Sequence, residues 1–284
     1  MTVFERVATA RHQLHEAGLS SLESDLSARL LAEHVLNWSP ERYFTSGNDP
    51  EPSEFIAAYD TLVARRASRE PLPYIVGEQE FWALPFEVSP DVLIPRPETE
   101  LIVEAVLELL PDAGQTLAIA DACTGCGCIA VALARERPAA DVVATDISEA
   151  ALVVARRNAA THGVAGRVRF IRTDLLDGVN GPFDIVTANP PYVAERDRAG
   201  LQPEVGDHEP AVALFGGNDG LRLIERITAQ AAVRLRPGGY FIFEFGFGQD
   251  IEVEDMVAAR PELALVDLKR DLQGIARTVV AKRV

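Results

Sequence analysis

The chain has 284 residues, of which 48% are hydrophobic and 25% charged, and its formal net charge is −16. This length predicts about two domains, and the apolar content excludes a disordered chain. The acidity disfavours a protein that holds a nucleic-acid backbone by charge alone. All three cysteines lie between residues 123 and 128, which excludes disulfides between distant parts of the chain. No signal peptide or membrane-spanning run is apparent, so we expect a cytoplasmic protein.

Residues 1–70 carry helical patterns only, and we predict that they form a small helical bundle. Ser20 and Glu23 have the spacing of a capping box, and apolar residues follow at helical spacing until Trp38-Ser39-Pro40. Two further helices are predicted at 3–14 and 53–67.

Residues 71–97 are predicted to connect this bundle to a second domain. Pro71-Leu72-Pro73-Tyr74 predicts an extended linker because two prolines restrict the chain path. The pattern at 81–88 predicts a short hairpin.

Residues 98–284 are predicted to form an α/β domain, because apolar strand and helix patterns alternate there. Seven strands are predicted, at 117–120, 142–144, 168–171, 184–186, 240–245, 263–268 and 276–280. Their mostly continuous apolar character predicts a doubly wound, mostly parallel sheet with helices on both faces. The last two strands are joined by too few residues for a helix, which predicts an antiparallel pair at one edge.

A loop of small residues follows the first of these strands, Cys123-Thr124-Gly125-Cys126-Gly127. Ligands of open α/β sheets bind outside the carboxyl ends of the strands, where such a loop lets the backbone approach them closely. The loop lacks the G-x-G-x-x-G spacing of dinucleotide enzymes. Asp121 precedes the loop, and an acid there would repel a phosphate but suit a cationic ligand or one rich in donors.

Acidic residues also follow the next two predicted strands. Asp146-Ile147 stands about 20 residues after Gly125, where an acid often accepts hydrogen bonds from a ribose. Asp174-Leu175 stands where a carboxylate can accept an adenine amino group. Each acid alone fits a solvated turn, but acids at successive strand ends beside the glycine loop predict one ligand site.

The fourth strand ends in the most specific motif of the chain, Asn189-Pro190-Pro191-Tyr192. The Asn189 side chain offers one acceptor and two donors, the prolines restrict the backbone, and Tyr192 adds an aromatic plane. A planar NH₂ group could donate to the Asn189 side-chain oxygen and to a backbone carbonyl such as that of Pro190, with its flat face on Tyr192. The motif therefore predicts a site for the nitrogen of an amide or of an exocyclic base amine.

Together these motifs resemble class I S-adenosylmethionine-dependent methyltransferases that act on a planar nitrogen. The chain is similar in particular to the peptide chain release factor glutamine N5-methyltransferase family, and the similarity covers nearly its whole length. The segments that carry this narrower resemblance are 71–77, 80–82, 93–100, 209–217 and 219–221.

The resemblance implies methyl transfer from S-adenosylmethionine to the glutamine amide nitrogen of the Gly-Gly-Gln motif in release factors, with the N-terminal helices helping to hold the factor. Independently of the resemblance, we expect no metal, no direct nucleic-acid contact, no membrane contact and a monomer. The implied cofactor-binding residues are Cys123, Thr124, Gly125, Cys126, Gly127, Asp146, Ile147, Asp174, Leu175 and Asn189. The implied catalytic residues are Asn189, Pro190, Pro191 and Tyr192, and these four with Arg96 are the implied substrate-binding residues.

Two positions depart from the family pattern. Cys123 stands where many members have glycine, which leaves its φ angle less free. Leu175 stands where an aromatic residue can stack on adenine, so the adenine would rest on an aliphatic surface. Neither change removes the pattern of donors and acceptors.

Other functions remain open at this level. A DNA adenine or ribosomal RNA guanine methyltransferase can use a similar motif, although residues 98–284 hold 19 basic and 28 acidic residues. A nicotinamide oxidoreductase would share the sheet but needs the missing G-x-G-x-x-G, and a binding module would not need Asn189. Cys123, Cys126 and Cys128 could bind a metal only with a fourth ligand that the sequence does not show, and we expect them to pack behind the cofactor.

Overall fold

The computed structural model describes the whole chain, Met1–Val284. The α-helices in chain order are α1 (Val3–Glu16), α2 (Ser21–Leu36), α3 (Pro40–Ser46), α4 (Ser53–Ala67), α5 (Leu72–Val76), α6 (Glu100–Leu109), α7 (Cys128–Glu136), α8 (Glu149–Thr161), α9 (Pro203–Gly206), α10 (Ala211–Leu214), α11 (Arg222–Arg234) and α12 (Asp250–Ala258). The strands are β1 (Glu78–Phe81), β2 (Leu84–Glu87), β3 (Ala118–Ala122), β4 (Asp141–Asp146), β5 (Val168–Arg172), β6 (Phe183–Ala188), β7 (Leu235–Glu244), β8 (Leu263–Arg270) and β9 (Ala276–Arg283). Short 3₁₀ helices lie at Pro97–Thr99 and Glu195–Gly200. No helix combines the length and the apolar character needed to cross a membrane.

The chain forms two compact units whose boundaries differ from the predicted segments. Unit 1 contains residues 1–77 together with 202–208, and unit 2 contains residues 78–201 and 209–284. The chain therefore leaves unit 2 after Leu201 and returns to it at Glu209. The functional division into 1–70, 71–97 and 98–284 stays a prediction.

Unit 1 is a helical bundle. The predicted capping box at the start of α2 is present, since the Ser20 hydroxyl accepts from the Glu23 backbone and the Glu23 side chain accepts from the Ser20 backbone. The apolar faces of α1, α2 and α4 form its core, and the buried Tyr59 hydroxyl donates to the Ala28 carbonyl at 2.8 Å.

Inside this unit Glu204 of α9 accepts hydrogen bonds from Arg66 and Arg69 at 2.6–2.9 Å. Burial disfavours the Glu204 carboxylate, but these two guanidinium groups outweigh it and lower its pKa to about 2.

Unit 2 contains the predicted seven-stranded sheet, in the order β5-β4-β3-β6-β7-β9-β8. The first five strands in this order are parallel, and β9 runs antiparallel to both β7 and β8. The predicted doubly wound sheet and its antiparallel edge pair are thus confirmed. The strand order reverses between β3 and β6, and the carboxyl ends of strands at such a reversal are where ligands bind in open α/β sheets.

The segment 71–74 differs from its prediction. It begins the short helix α5 instead of an extended linker, because proline fits the first turn of a helix, where its missing N–H leaves no hydrogen bond unmade. The predicted hairpin is present as β1 and β2, joined by Trp82 and Ala83 with φ angles of 54° and 52°. Two residues with positive φ are typical of a tight hairpin turn.

Candidate active site

A cavity of about 440 Å³ lies in unit 2 at the carboxyl ends of β3, β4, β5 and β6. Pockets for small ligands are typically about 300–1,000 Å³ in volume. The predicted site residues that line it are Arg96, Cys123, Thr124, Gly125, Cys126, Asp146, Ile147, Asp174, Leu175, Asn189 and Pro191. Gly127, Pro190 and Tyr192 were also predicted for the site but are not among the lining residues.

The glycine loop between β3 and α7 runs through the left-handed region of backbone space. Cys123, Gly125 and Gly127 have φ angles of 58°, 56° and 85°. A Cβ at Gly127 would come within 3.1 Å of the Ala155 Cβ, so the loop packs directly on α8 there. A Cβ at Gly125 would meet nothing within 4 Å. Gly127 therefore supports the loop from behind, whereas Gly125 leaves room on the cavity side.

Asp121 is fully buried behind this loop and does not line the cavity, so it is not placed to meet a ligand as the sequence suggested. Its carboxylate accepts the Thr124 hydroxyl at 2.6 Å and the Thr187 hydroxyl at 2.8 Å. Burial raises the pKa of Asp121 to about 7, although both hydrogen bonds favour the charged form. Asp121 thus ties the loop to β6.

Asp146 and Asp174 line the cavity from the ends of β4 and β5. Asp146 accepts backbone N–H groups of Gly125 and Ser148, both at 2.9 Å, which fixes its carboxylate beside the loop. Burial raises the pKa of Asp146, and these backbone hydrogen bonds oppose the rise. Asp174 accepts from the Arg226 guanidinium at 2.9 Å. Each carboxylate oxygen can accept two hydrogen bonds, so both acids keep acceptor sites for a ligand.

Asn189 lies at the centre of a buried polar network at the end of β6. Its Nδ2 donates to the Thr99 hydroxyl at 3.0 Å and to Glu244 Oε2 at 3.1 Å. The Thr99 hydroxyl donates to the same Glu244 oxygen at 2.6 Å, and the Tyr192 hydroxyl donates to Glu244 Oε1 at 2.9 Å. Burial raises the pKa of Glu244, whereas the hydrogen bonds from Thr99 and Tyr192 lower it.

The Tyr192 ring packs against the core of unit 2. Whether Tyr192 also stacks on the substrate stays a prediction. In the structure its hydroxyl group holds Glu244 by a hydrogen bond. The nearby negative charge of Glu244, followed by burial, raises the pKa of Tyr192 well above its ordinary value.

Arginines surround the rest of the cavity. Arg96 pairs with Glu209, whose carboxylate also accepts the Ile94 backbone N–H at 3.2 Å. The Arg198 guanidinium lies over the Phe215 ring, 3.7 Å from its centroid. A protein segment that enters the cavity would meet these cationic and aromatic groups.

The three cysteines are free, and they do not belong to any group of histidine, cysteine and acidic side chains that could hold a metal ion. Burial raises the pKa of Cys123 well above its ordinary value. Its hydrogen bond with Cys126, followed by burial, does the same for Cys128. Both thiols are therefore neutral near pH 7.

Sequence reasoning missed Glu244, Thr99 and Arg226 as parts of the site. Glu244 carries a weak signal, because it is an acid at the end of an otherwise apolar strand. Thr99 lies in segment 93–100, which carries the family resemblance, but nothing in that segment indicates its contact with Asn189. Arg226 carries no signal, since it acts through Asp174, 52 positions away.

Two family models match this chain. Residues 5–77 match the PrmC N-terminal domain, and residues 99–202 match the methyltransferase small domain.

Solved structures share the fold at low sequence identity. The catalytic domain of hMettl16 in complex with the MAT2A 3′UTR hairpin 6 has a TM-score of 0.56 and 17% identity, covering 78% of this chain and 81% of that one. A methyltransferase from Pyrococcus furiosus has a TM-score of 0.52 and 17% identity, covering 71% and 90%. This chain is therefore a Rossmann-like methyltransferase, because it has the fold, a cavity at the strand ends and a match to a methyltransferase domain.

The relatives of this chain show which family of methyltransferases it belongs to. The release factor glutamine methyltransferase of Cereibacter sphaeroides is 41% identical over 282 residues, covering 99% of each chain. That of Geobacter sulfurreducens is 45% identical over 270 residues, covering 95% of this chain and 92% of its own. This chain belongs to the release factor glutamine methyltransferase family, as its motifs predicted.

Proposed function

We propose that this protein transfers a methyl group from S-adenosylmethionine to the side-chain amide nitrogen of the glutamine in the Gly-Gly-Gln motif of peptide chain release factors. The names of its relatives support a release factor glutamine as the substrate. The observation that carries the proposal is the orientation of the Asn189 side-chain amide. The NH₂ group of its side chain faces into the protein, where it donates to Thr99 and Glu244, and Asn189 lines the cavity. Its Oδ1 is therefore available to accept a hydrogen bond from a substrate NH₂ group.

The other cavity residues fit the proposed cofactor. Asp146 would accept the ribose hydroxyls, and Asp174 would accept the adenine amino group. Ile147 is half exposed and Leu175 lies at the cavity wall, so both offer aliphatic surfaces to the adenine ring. A structure of the same fold, the 16S rRNA methyltransferase RsmC of T. thermophilus, holds AdoMet and guanosine. When bound, the cofactor supplies an electrophilic methyl group on a positively charged sulfur.

Orientation is what the protein contributes to the chemistry. An amide nitrogen is a weak nucleophile, because its lone pair is delocalised into the carbonyl. Glu244 is the nearest acid to Asn189, but it does not line the cavity and is not placed to act as a base. Asn189 Oδ1 and a backbone carbonyl such as that of Pro190 would accept the two N–H groups and aim the nitrogen at the methyl carbon. Such positioning contributes up to about 7–11 kcal/mol in favourable intramolecular reactions.

The test is to incubate the protein with S-adenosylmethionine labelled in its methyl group and four separate acceptors. These are a recombinant release factor, the same factor with Gly-Gly-Gln changed to Gly-Gly-Ala, duplex DNA and ribosomal RNA. We expect label in the unmodified factor alone. Label in either nucleic acid but not in the factor would refute the proposal in favour of a base methyltransferase, and equal label in the Gly-Gly-Ala factor would refute the target residue.

A further inference from the structure

Glu244 and Asn189 lie side by side at the ends of neighbouring strands. In the register of the sheet Ala188 of β6 faces Phe243 of β7, so the next pair along the two strands is Asn189 and Glu244. Glu244 is only 2% exposed and accepts three hydrogen bonds, from Thr99, Asn189 and Tyr192. These three donors satisfy both oxygens of the buried carboxylate and hold it in place.

This network determines which way round the Asn189 amide lies. A carboxylate can only accept hydrogen bonds, so it must face the NH₂ end of the amide. The same NH₂ group also donates to the Thr99 hydroxyl, whose own hydrogen is given to Glu244. If the amide turned over, Oδ1 would face a buried carboxylate at about the 3.1 Å now occupied by a hydrogen bond. Two acceptors at that distance repel each other, which strongly disfavours the reversed orientation.

We propose that Glu244, together with Thr99, is the positioning element that makes Asn189 present only an acceptor to the substrate, and so selects an NH₂ group over a carboxylate or carbonyl oxygen. This rests on the proposed function and adds a specificity device to it. Glutamine can donate to Asn189 Oδ1, but an ionised glutamate offers acceptors only and would be rejected. Glu244 acts through Asn189 and does not touch the substrate.

The variant Glu244→Gln tests this directly, because it keeps the size of the side chain but replaces one acceptor with a donor. Glutamine can satisfy the network in two ways. Its oxygen can face Asn189 as Glu244 does, or its NH₂ group can face Asn189 and allow the Asn189 amide to turn over. A role limited to filling the core would be kept by this variant, whereas the fixed orientation of Asn189 would be relaxed, because both arrangements become accessible.

The measurement is the dissociation constant of a release factor from the enzyme with S-adenosylhomocysteine, for the Gly-Gly-Gln factor and for a Gly-Gly-Glu variant. For the unmodified enzyme we expect the glutamine factor to bind at least about 100-fold more tightly, since a site built to pair with an N–H rejects an analogue without it. In Glu244→Gln this ratio should fall to about tenfold or less. Glu33→Gln is the matched control, because it makes the same change at a buried glutamate of unit 1 and should leave the ratio unchanged.

A second pair of variants tests Thr99. Thr99→Val keeps the shape but removes one acceptor of Asn189, so kcat should fall on the order of tenfold while the affinity for S-adenosylhomocysteine stays the same. Thr99→Ser restores the hydroxyl and should restore most of kcat. An unchanged binding ratio in folded Glu244→Gln, or an unchanged kcat in Thr99→Val, would overturn this inference while leaving the methylation of the factor intact. Failure of the unmodified enzyme to bind or methylate the factor would instead overturn the proposed function.

Discussion

Replacing Asp121 with asparagine should change how the stability of the protein depends on pH. Asp121 is fully buried, and burial raises its pKa to about 7, whereas the ordinary value is 3.8. Between these two values the folded state binds a proton that the unfolded state has released. The free energy of unfolding must therefore decrease as the pH rises through this window and become constant above it. The difference of about three pKa units corresponds to about 4 kcal/mol in total, of which about 2.5 kcal/mol is lost between about pH 5 and pH 8.

Asparagine has nearly the same shape and can still serve both hydroxyl partners, accepting from Thr124 or Thr187 and donating to the other. Urea unfolding of the unmodified protein and Asp121→Asn, each at about pH 5 and pH 8, isolates the contribution of this group. Other buried acids titrate in both proteins, so they cancel in the difference. We expect Asp121→Asn to lose about 2.5 kcal/mol less than the unmodified protein over this range. Equal losses in the two proteins, or a smaller loss in the unmodified one, would refute the assignment of the raised pKa to Asp121.

Three further predictions concern the cavity. Asn189→Ala should lower turnover on the order of 1,000-fold with cofactor affinity almost unchanged, and an active variant measured in the labelling assay would exclude Asn189 from its proposed role. Gly127→Ala should lower the free energy of unfolding by about 2 kcal/mol in urea titrations, because its φ of 85° and the nearby Ala155 both oppose a Cβ. Arg226→Gln should weaken cofactor binding about threefold by calorimetry, since it frees the half-exposed Asp174; a tenfold loss would require a direct contact between Arg226 and the cofactor.

Much of the fold could be predicted because its signals are local. Most strands of the sheet in unit 2 contain a continuous apolar run, and the capping box of α2 lies within four residues. The site residues at the ends of β3 to β6 followed from the rule that parallel strands share an edge. The error at Pro71-Leu72-Pro73-Tyr74 has a local cause too, because proline fits a linker and the first turn of a helix equally well.

The features of the site that the sequence did not predict depend on contacts between residues far apart in the chain. Glu244 is 145 positions from Thr99 and 55 from Asn189, so no local pattern connects them. The position of Asp121 at the start of the glycine loop suggests contact with a ligand, yet its side chain turns inward to Thr124 and Thr187. Which of two successive side chains faces a cavity depends on the register of the sheet, and a one-residue change in register reverses it.

The path of the chain through residues 202–208 limits how this protein can be divided. A fragment that begins at residue 78 would contain every residue of the cavity, but Glu204 would lose both Arg66 and Arg69. That loss would leave a carboxylate without its partners in a segment that joins Arg198 to Pro210, two residues of the cavity wall. The helices of unit 1 and residues 202–208 therefore form one structural module. Any chimaera that borrows the helices of a relative must borrow its residues equivalent to 202–208 as well.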